Sequence, residues 1–286
     1  MKKVFKGIGL VLGGLIILLL IAGVVLYGRG GSASEKTYAV TPALSTVPMD
    51  SASAAHGEHL ATIHACRSCH GDHLEGRVFL DIPPFRAVAS NLTPGGGGVG
   101  RTYTDADWDR AIRHGVKPDG RWVLVMPSTL FHNLSDDDAA DLIAYLKSLP
   151  PVDNELPATE LYALGRIVAG TGGLDPDEFV ATGPARTTAP PPGPTAAYGA
   201  YLTSITCIGC HGDDLRGGES PNPELPGPDL LAAGAWPLDG FMEAMRTGIR
   251  PSGAAMDDEW MPWTSFQHMT DEELQAIHEH LKTLAH

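Results

Sequence analysis

Cysteine is scarce in this chain, with four residues in 286. All four fall in two pentapeptides, Cys66-Arg-Ser-Cys-His70 and Cys207-Ile-Gly-Cys-His211, so no thiol remains for a structural disulfide. Basic residues are also in deficit. Twenty Lys and Arg against 34 Asp and Glu give a formal charge of −14. That balance excludes the basic stripe of a nucleic-acid-binding protein and makes any electrostatic partner a basic one. No stretch reads as strand-rich, no output domain follows the motifs, and the expected fold class is all-α.

Charge is absent altogether from the 21 residues between Gly7 and Tyr27. As a helix they extend about 31 Å, enough for a hydrocarbon core of about 30 Å. The run is long for the apolar region of a cleaved signal, so an uncleaved anchor over residues 1–28 is expected. Lys2, Lys3 and Lys6 precede it and Arg29 follows. The positive-inside rule then puts the N-terminus in the cytoplasm and the remainder in the periplasm, as a single-pass inner-membrane protein. Gly9 and Gly13 form a G-x-x-x-G pair of the kind that seats a neighbouring helix.

The soluble part is a repeat. Ala54-Ala-His-Gly57 matches Ala196-Ala-Tyr-Gly199, and Cys69-His-Gly-Asp-His-Leu-Glu-Gly76 matches Cys210-His-Gly-Asp-Asp-Leu-Arg-Gly217. Further on, the segment from Trp108 aligns with that from Phe241, each ending at a glycine, Gly115 or Gly248, placed as a helix C-cap with proline soon after. Met126-Pro127 aligns with Met261-Pro262. Each copy closes on a helix announced by Ser135 to Asp138 or Thr270 to Glu273, a capping box or its aspartate variant. The apolar stripes Leu142, Ile143, Leu146, Leu149 and Leu274, Ile277, Leu281, Leu284 belong to the core. The organisation expected is a linker over 29–53, a domain over 54–152, a Pro/Gly-rich linker over 153–195 with a short helix near 160–168, and a second domain over 196–286.

C-x-x-C-H places two thiols three positions apart, each able to form a thioether to one haem vinyl group, with the following histidine facing the iron. One such pentapeptide occurs by chance or marks a zinc or redox site. Two copies inside one repeat point to two covalently bound haem c groups, with His70 and His211 as iron ligands and Cys66, Cys69, Cys207 and Cys210 as attachment points. Met126 and Met261 are the methionines at equivalent repeat positions and are the expected sixth ligands, which raise the iron potential relative to histidine and close the last site. Met242, Met245, Met256, Met269, His132, His268, His278 and His280 have no counterpart of their own kind in the other copy. His278 and His280 read as the polar side of the last helix.

Asn91-Leu-Thr-Pro94, Asp107-Trp108, Gly115-Val116, Asp119-Gly120, Met126-Pro127, Leu134 to Asp138 and Tyr145 to Val152 resemble the class I cytochrome c domains of cytochrome subunits in bacterial membrane-bound dehydrogenases, such as alcohol and gluconate dehydrogenases. The resemblance implies a small helical fold around each haem, low-spin His/Met iron and electron transfer outside the cytoplasmic membrane. Partners would be redox proteins or subunits of a respiratory, photosynthetic or dehydrogenase complex, and the chain itself would not be an enzyme. A dihaem peroxidase is the alternative, and it requires two haems that differ.

Overall fold

A computed structural model describes residues 2–218, 227–258 and 260–284. Met1 of the expected anchor and residues 219–226, 259 and 285–286 of the expected second domain lie outside these. The chain forms α1 (Lys2–Ser34), α2 (Ser51–Ile63), α3 (Cys66–His70), strands β1 (Arg77–Ile82) and β2 (Phe85–Ala89), then α4 (Asp105–His114), α5 (Ser128–Phe131) and α6 (Asp136–Ser148). A two-residue strand, β3 (Glu160–Leu161), and α7 (Ala163–Gly170) lie between the repeats. The second copy comprises α8 (Ala196–Thr206), α9 (Ile208–His211), α10 (Leu231–Gly234), α11 (Leu238–Thr247), α12 (Trp263–Phe266) and α13 (Asp271–Leu284).

The helix-rich class is as expected, with one addition. β1 and β2 form an antiparallel hairpin turning at Pro83-Pro84, and β3 pairs with β2 through Phe85 opposite Leu161. The 77–89 segment is rich in valine, phenylalanine and isoleucine, residues that favour an extended backbone. No strand-rich stretch stands out in the sequence, and two prolines divide this segment at its turn.

α1 is long and apolar enough to cross a membrane, by length and composition. It runs past Tyr27 to Ser34, so the first residues assigned to a linker are helical. A Cβ on Gly9 or Gly13 would meet nothing within 4 Å among the described residues. The short helix expected near 160–168 is α7, and it packs on the end of α1.

One hydrophobic cluster serves both copies, and its members correspond in pairs. Leu60 matches Leu202, Ile63 matches Ile205, Trp108 matches Phe241, Phe131 matches Phe266, Leu142 matches Ile277 and Leu146 matches Leu281, all at most 8% exposed. Within each copy the first helix crosses the last at a glycine. A Cβ on Gly57 would stand 1.9 Å from the Asp141 carbonyl oxygen, and one on Gly199 would stand 1.9 Å from that of Ala276. Close backbone approach therefore requires glycine at both crossings.

α4 and α11 end as their sequences indicate, at Gly115 (φ 69°) and Gly248 (φ 73°) in the left-handed region. Each carries an arginine to the start of the last helix. Arg113, fully buried, holds Asp109 at 2.5 Å and Asp136 at 2.7 Å; Arg246 holds Asp271 at 2.8 Å. Asp109 also accepts from the amides of Ala43 and Leu44, tying the segment that leaves the anchor to the first domain.

Candidate functional site

Each C-x-x-C-H pentapeptide folds as a single helical turn whose exit is fixed by a repeated set of backbone bonds. Gly71 (φ 86°) and Gly212 (φ 78°) end the turns, their amides donating to the carbonyls of Arg67 and Ile208. Leu74 (φ 59°) and Leu215 (φ 58°) are left-handed despite their side chains. Such a conformation costs about 1–3 kcal/mol and persists where the surroundings enforce it. Here the enforcing bonds are Leu74 N to Gly71 O and Gly76 N to His70 O, mirrored by Leu215 N to Gly212 O and Gly217 N to His211 O.

That turn brings a carbonyl beneath each histidine. His70 Nδ1 donates to Ser90 O at 2.8 Å, and His211 Nδ1 donates to Pro228 O at 2.8 Å. With the proton fixed on Nδ1, the Nε2 lone pair is presented as a ligand. Burial pushes both imidazoles below their ordinary pKa, toward the neutral form that binds metal.

Cys66 and Cys207 pack against the common core. Burial pushes their thiols up to about 12 and about 11, and it raises Cys69 and Cys210 as well. Among the described residues no group of three or more His, Cys, Asp or Glu is placed to hold a metal ion by itself. Among the described residues each copy also leaves one indole N–H buried without a partner, Trp108 Nε1 and Trp263 Nε1. A haem propionate supplies the acceptor that such a donor lacks, so the residues present fit haem c.

Met126 and Met261 occupy matching places. Short bridges, Val116 with Trp122 and Ile249 with Ala255, lead out of the two glycine caps. The methionines follow, half-buried against the core, and their carbonyls accept from Ser128 N at 2.8 Å and Trp263 N at 2.6 Å as α5 and α12 begin. Of the other candidates, Met269 and His132 are engaged elsewhere. Met269 is 2% exposed within the core. His132 spends both ring nitrogens on carbonyls, those of Arg113 and Pro184. His268 is exposed, and His280 is half-buried.

His278 corrects the sequence reading. It is 4% exposed, with Nε2 on the Trp236 carbonyl at 2.9 Å. The buried face of α13 takes in 273, 274, 276, 277, 278 and 281, wider than the leucine and isoleucine stripe that the pattern suggested.

The interface between the copies has a reciprocity that sequence reasoning missed. Tyr201 of α8 donates its hydroxyl to Asp138 of α6 and accepts from Ser135 N at 3.0 Å. His59 of α2, the residue aligned with Tyr201, meets both carboxylate oxygens of Glu273 of α13, at 2.9 and 3.0 Å. Glu273 is aligned with Asp138, so each repeat's helix cap receives a ring from the other repeat. Gly209, between Cys207 and Cys210, lies against Leu130 of α5, so the second haem motif touches the segment that follows Met126.

The comparisons agree with this duplicated arrangement. The family model described as "Cytochrome c" matches residues 196–285, and that described as "Cytochrome C oxidase, cbb3-type, subunit III" matches residues 52–146. A "Diheme cytochrome c-type" protein of Cereibacter sphaeroides is 30% identical over 267 residues, covering 80% of this chain and 85% of its own. The cytochrome c subunit of a quinone alcohol dehydrogenase from Gluconacetobacter polyoxogenes is 27% identical over 292 residues, or 88% of this chain. The gluconate 2-dehydrogenase cytochrome c subunit of Pantoea cypripedii is 27% identical over 267 residues, or 80% of it. This chain spans 60% of the alcohol dehydrogenase subunit and 58% of the gluconate dehydrogenase subunit.

Proposed function

Because the chain belongs to the dihaem cytochrome c family and carries two covalently bound haem c groups, we propose that it is a membrane-tethered electron carrier with each iron held by one histidine and one methionine. Cys66 and Cys69 hold the first haem and Cys207 and Cys210 the second. His70 with Met126, and His211 with Met261, complete the two coordination spheres. Each haem, when bound, supplies a one-electron Fe(III)/Fe(II) couple.

The rest falls to the polypeptide. The Ser90 and Pro228 carbonyls fix the histidine tautomers, Cys66 and Cys207 pack against the shared apolar core, and the reciprocal interface joins the two repeats. The observation that carries this reading is the residue-by-residue match of the two sites, from the histidine–carbonyl bonds to the methionine–proline turns. It also separates an electron carrier from a dihaem peroxidase, which needs one iron unlike the other.

α1 anchors the protein with its N-terminus in the cytoplasm and both haem domains in the periplasm. Electrons arrive from and leave to redox proteins or subunits of a membrane complex. A dehydrogenase is the partner class supported by the named relatives, and the surplus of acidic residues favours a basic docking face on at least one partner.

Spectroelectrochemistry of the purified full chain tests the reading. Two reversible one-electron steps are expected, with no turnover of a reduced donor on adding peroxide. Peroxide-dependent turnover, or a haem without a reversible step, would overturn it.

A further inference from the structure

α1 and α7 form an antiparallel pair whose backbones nearly touch. A Cβ on Gly30 would stand 1.7 Å from the Arg166 carbonyl oxygen, and one on Gly170 would stand 2.1 Å from that of Leu26. Glycine permits this closeness in lipid as it does at the Gly57 and Gly199 crossings, so the depth of the pair is set by its register and composition. The register places the C-terminal end of α7 beside Leu26, on the membrane side of the point where Arg29 leaves the apolar run. With Gly7 to Tyr27 filling a core of about 30 Å, Leu26 stands at its edge.

The composition of the arm matches that depth. Ile167 to Leu174 carries no charge, and Thr171, Gly172 and Gly173 are exposed at its tip. Charge begins on either side of it. Arg166 lies higher up, its guanidinium 5.3 Å from the Tyr27 ring centroid, and Asp175 follows on the return. The return is then pinned above the edge, with Lys36 Nζ and Tyr38 OH both donating to Asp177 at 2.6 Å. A cavity of about 260 Å³ lies between the arms, lined in part by Arg29, Thr171 and Asp175, and so offers one cation and one carboxylate at head-group level.

Resting on the reading of α1 as the anchor, we infer that the tip of α7, Gly170 to Gly173, is seated in the interface of the periplasmic leaflet. Anchor and arm together make a two-legged foot on phospholipid that fixes the tilt of the first haem domain. The partner of this surface is the bilayer itself, because Gly170 packs on Leu26, within the apolar run of α1 whose Val24 and Val25 are exposed, and no charge lies between Ile167 and Leu174.

Spin labels on single cysteines test the placement in the full chain, reconstituted in phospholipid nanodiscs with the haems ferrous. The four native cysteines are consumed by the haems, so Thr171→Cys, Ala163→Cys and Val24→Cys each give one labelling site. The ratio of accessibility to oxygen over accessibility to a water-soluble nickel chelate should be severalfold higher at position 171 than at 163, and close to that at 24. Equal nickel access at 171 and 163 would overturn the inference. Shielding of 171 from both relaxants would overturn it too, by showing protein in place of lipid. Nickel access at position 24 would be a separate failure, that of the anchor.

Discussion

The two halves of the inter-repeat interface should respond differently to pH, because one is closed by a histidine and the other by a tyrosine. His59 is raised above its ordinary 6.5 chiefly by its hydrogen bond to Glu273. For Glu273, burial pushes upward, but the bonds from His59 and the Thr270 amide outweigh it and hold the carboxyl below 4.5. His64, buried nearby, is pushed down to about 4 and stays neutral. The stabilisation due to protonated His59 is therefore complete below 6.5 and is lost as pH rises through its raised folded value. That due to Glu273 is present above 4.5 and is lost as pH falls through its lowered folded value. Between those limits the pair is at full strength. Burial and Asp138 hold Tyr201 well above 10, so the matching contact is constant over the same range.

A charge-assisted hydrogen bond is worth about 1.5–3 kcal/mol, and the partial exposure of His59 reduces this to about 1–2 kcal/mol. For a chain of this size that corresponds to a Tm loss of about 2–8 °C between pH 6 and 8.5. His59→Tyr copies the other half of the interface and should abolish that part of the slope. Scanning calorimetry of both proteins in one detergent measures it. Equal pH slopes in wild type and His59→Tyr would refute the reasoning.

Gly57→Ala and Gly199→Ala should each destabilise by about 1–3 kcal/mol or more, since the added methyl meets backbone rather than a movable side chain; denaturant midpoints measure the loss. Arg113→Met strands the fully buried Asp109 and should cost about 3–5 kcal/mol, whereas Arg246→Met, at a half-exposed pair, should cost about 1 kcal/mol or less. Similar losses at the two arginines would show that burial does not set the difference.

What could be read from the sequence was local. The pentapeptides, the glycine caps, the Thr270–Glu273 capping box and the leucine and isoleucine stripes each lie within a few residues of one another and form as read, whereas at Ser135 only the serine half of the box forms, its amide and Asp138 turning to Tyr201. What escaped involves long-range contact. Nothing near His59 announces Glu273, although the repeat alignment contained the clue, since His59 aligns with Tyr201 and Glu273 with Asp138. His278 was read as solvated because it is polar, yet the Trp236 carbonyl satisfies it inside the fold. The end of α1 was assigned to a linker because Arg29 closes the apolar run, whereas α7 extends the helix to Ser34 by packing against it. The hairpin strands are short and divided by Pro83 and Pro84, so no strand-rich stretch stands out in the sequence.

The central claim is that Met126 and Met261 close the two irons, and carbon monoxide binding to the ferrous protein tests it most directly. The wild-type chain should bind none, while Met126→Ala and Met261→Ala should each bind one molecule per chain. Carbon monoxide binding by the wild type, or a methionine variant that remains inert, would contradict the account.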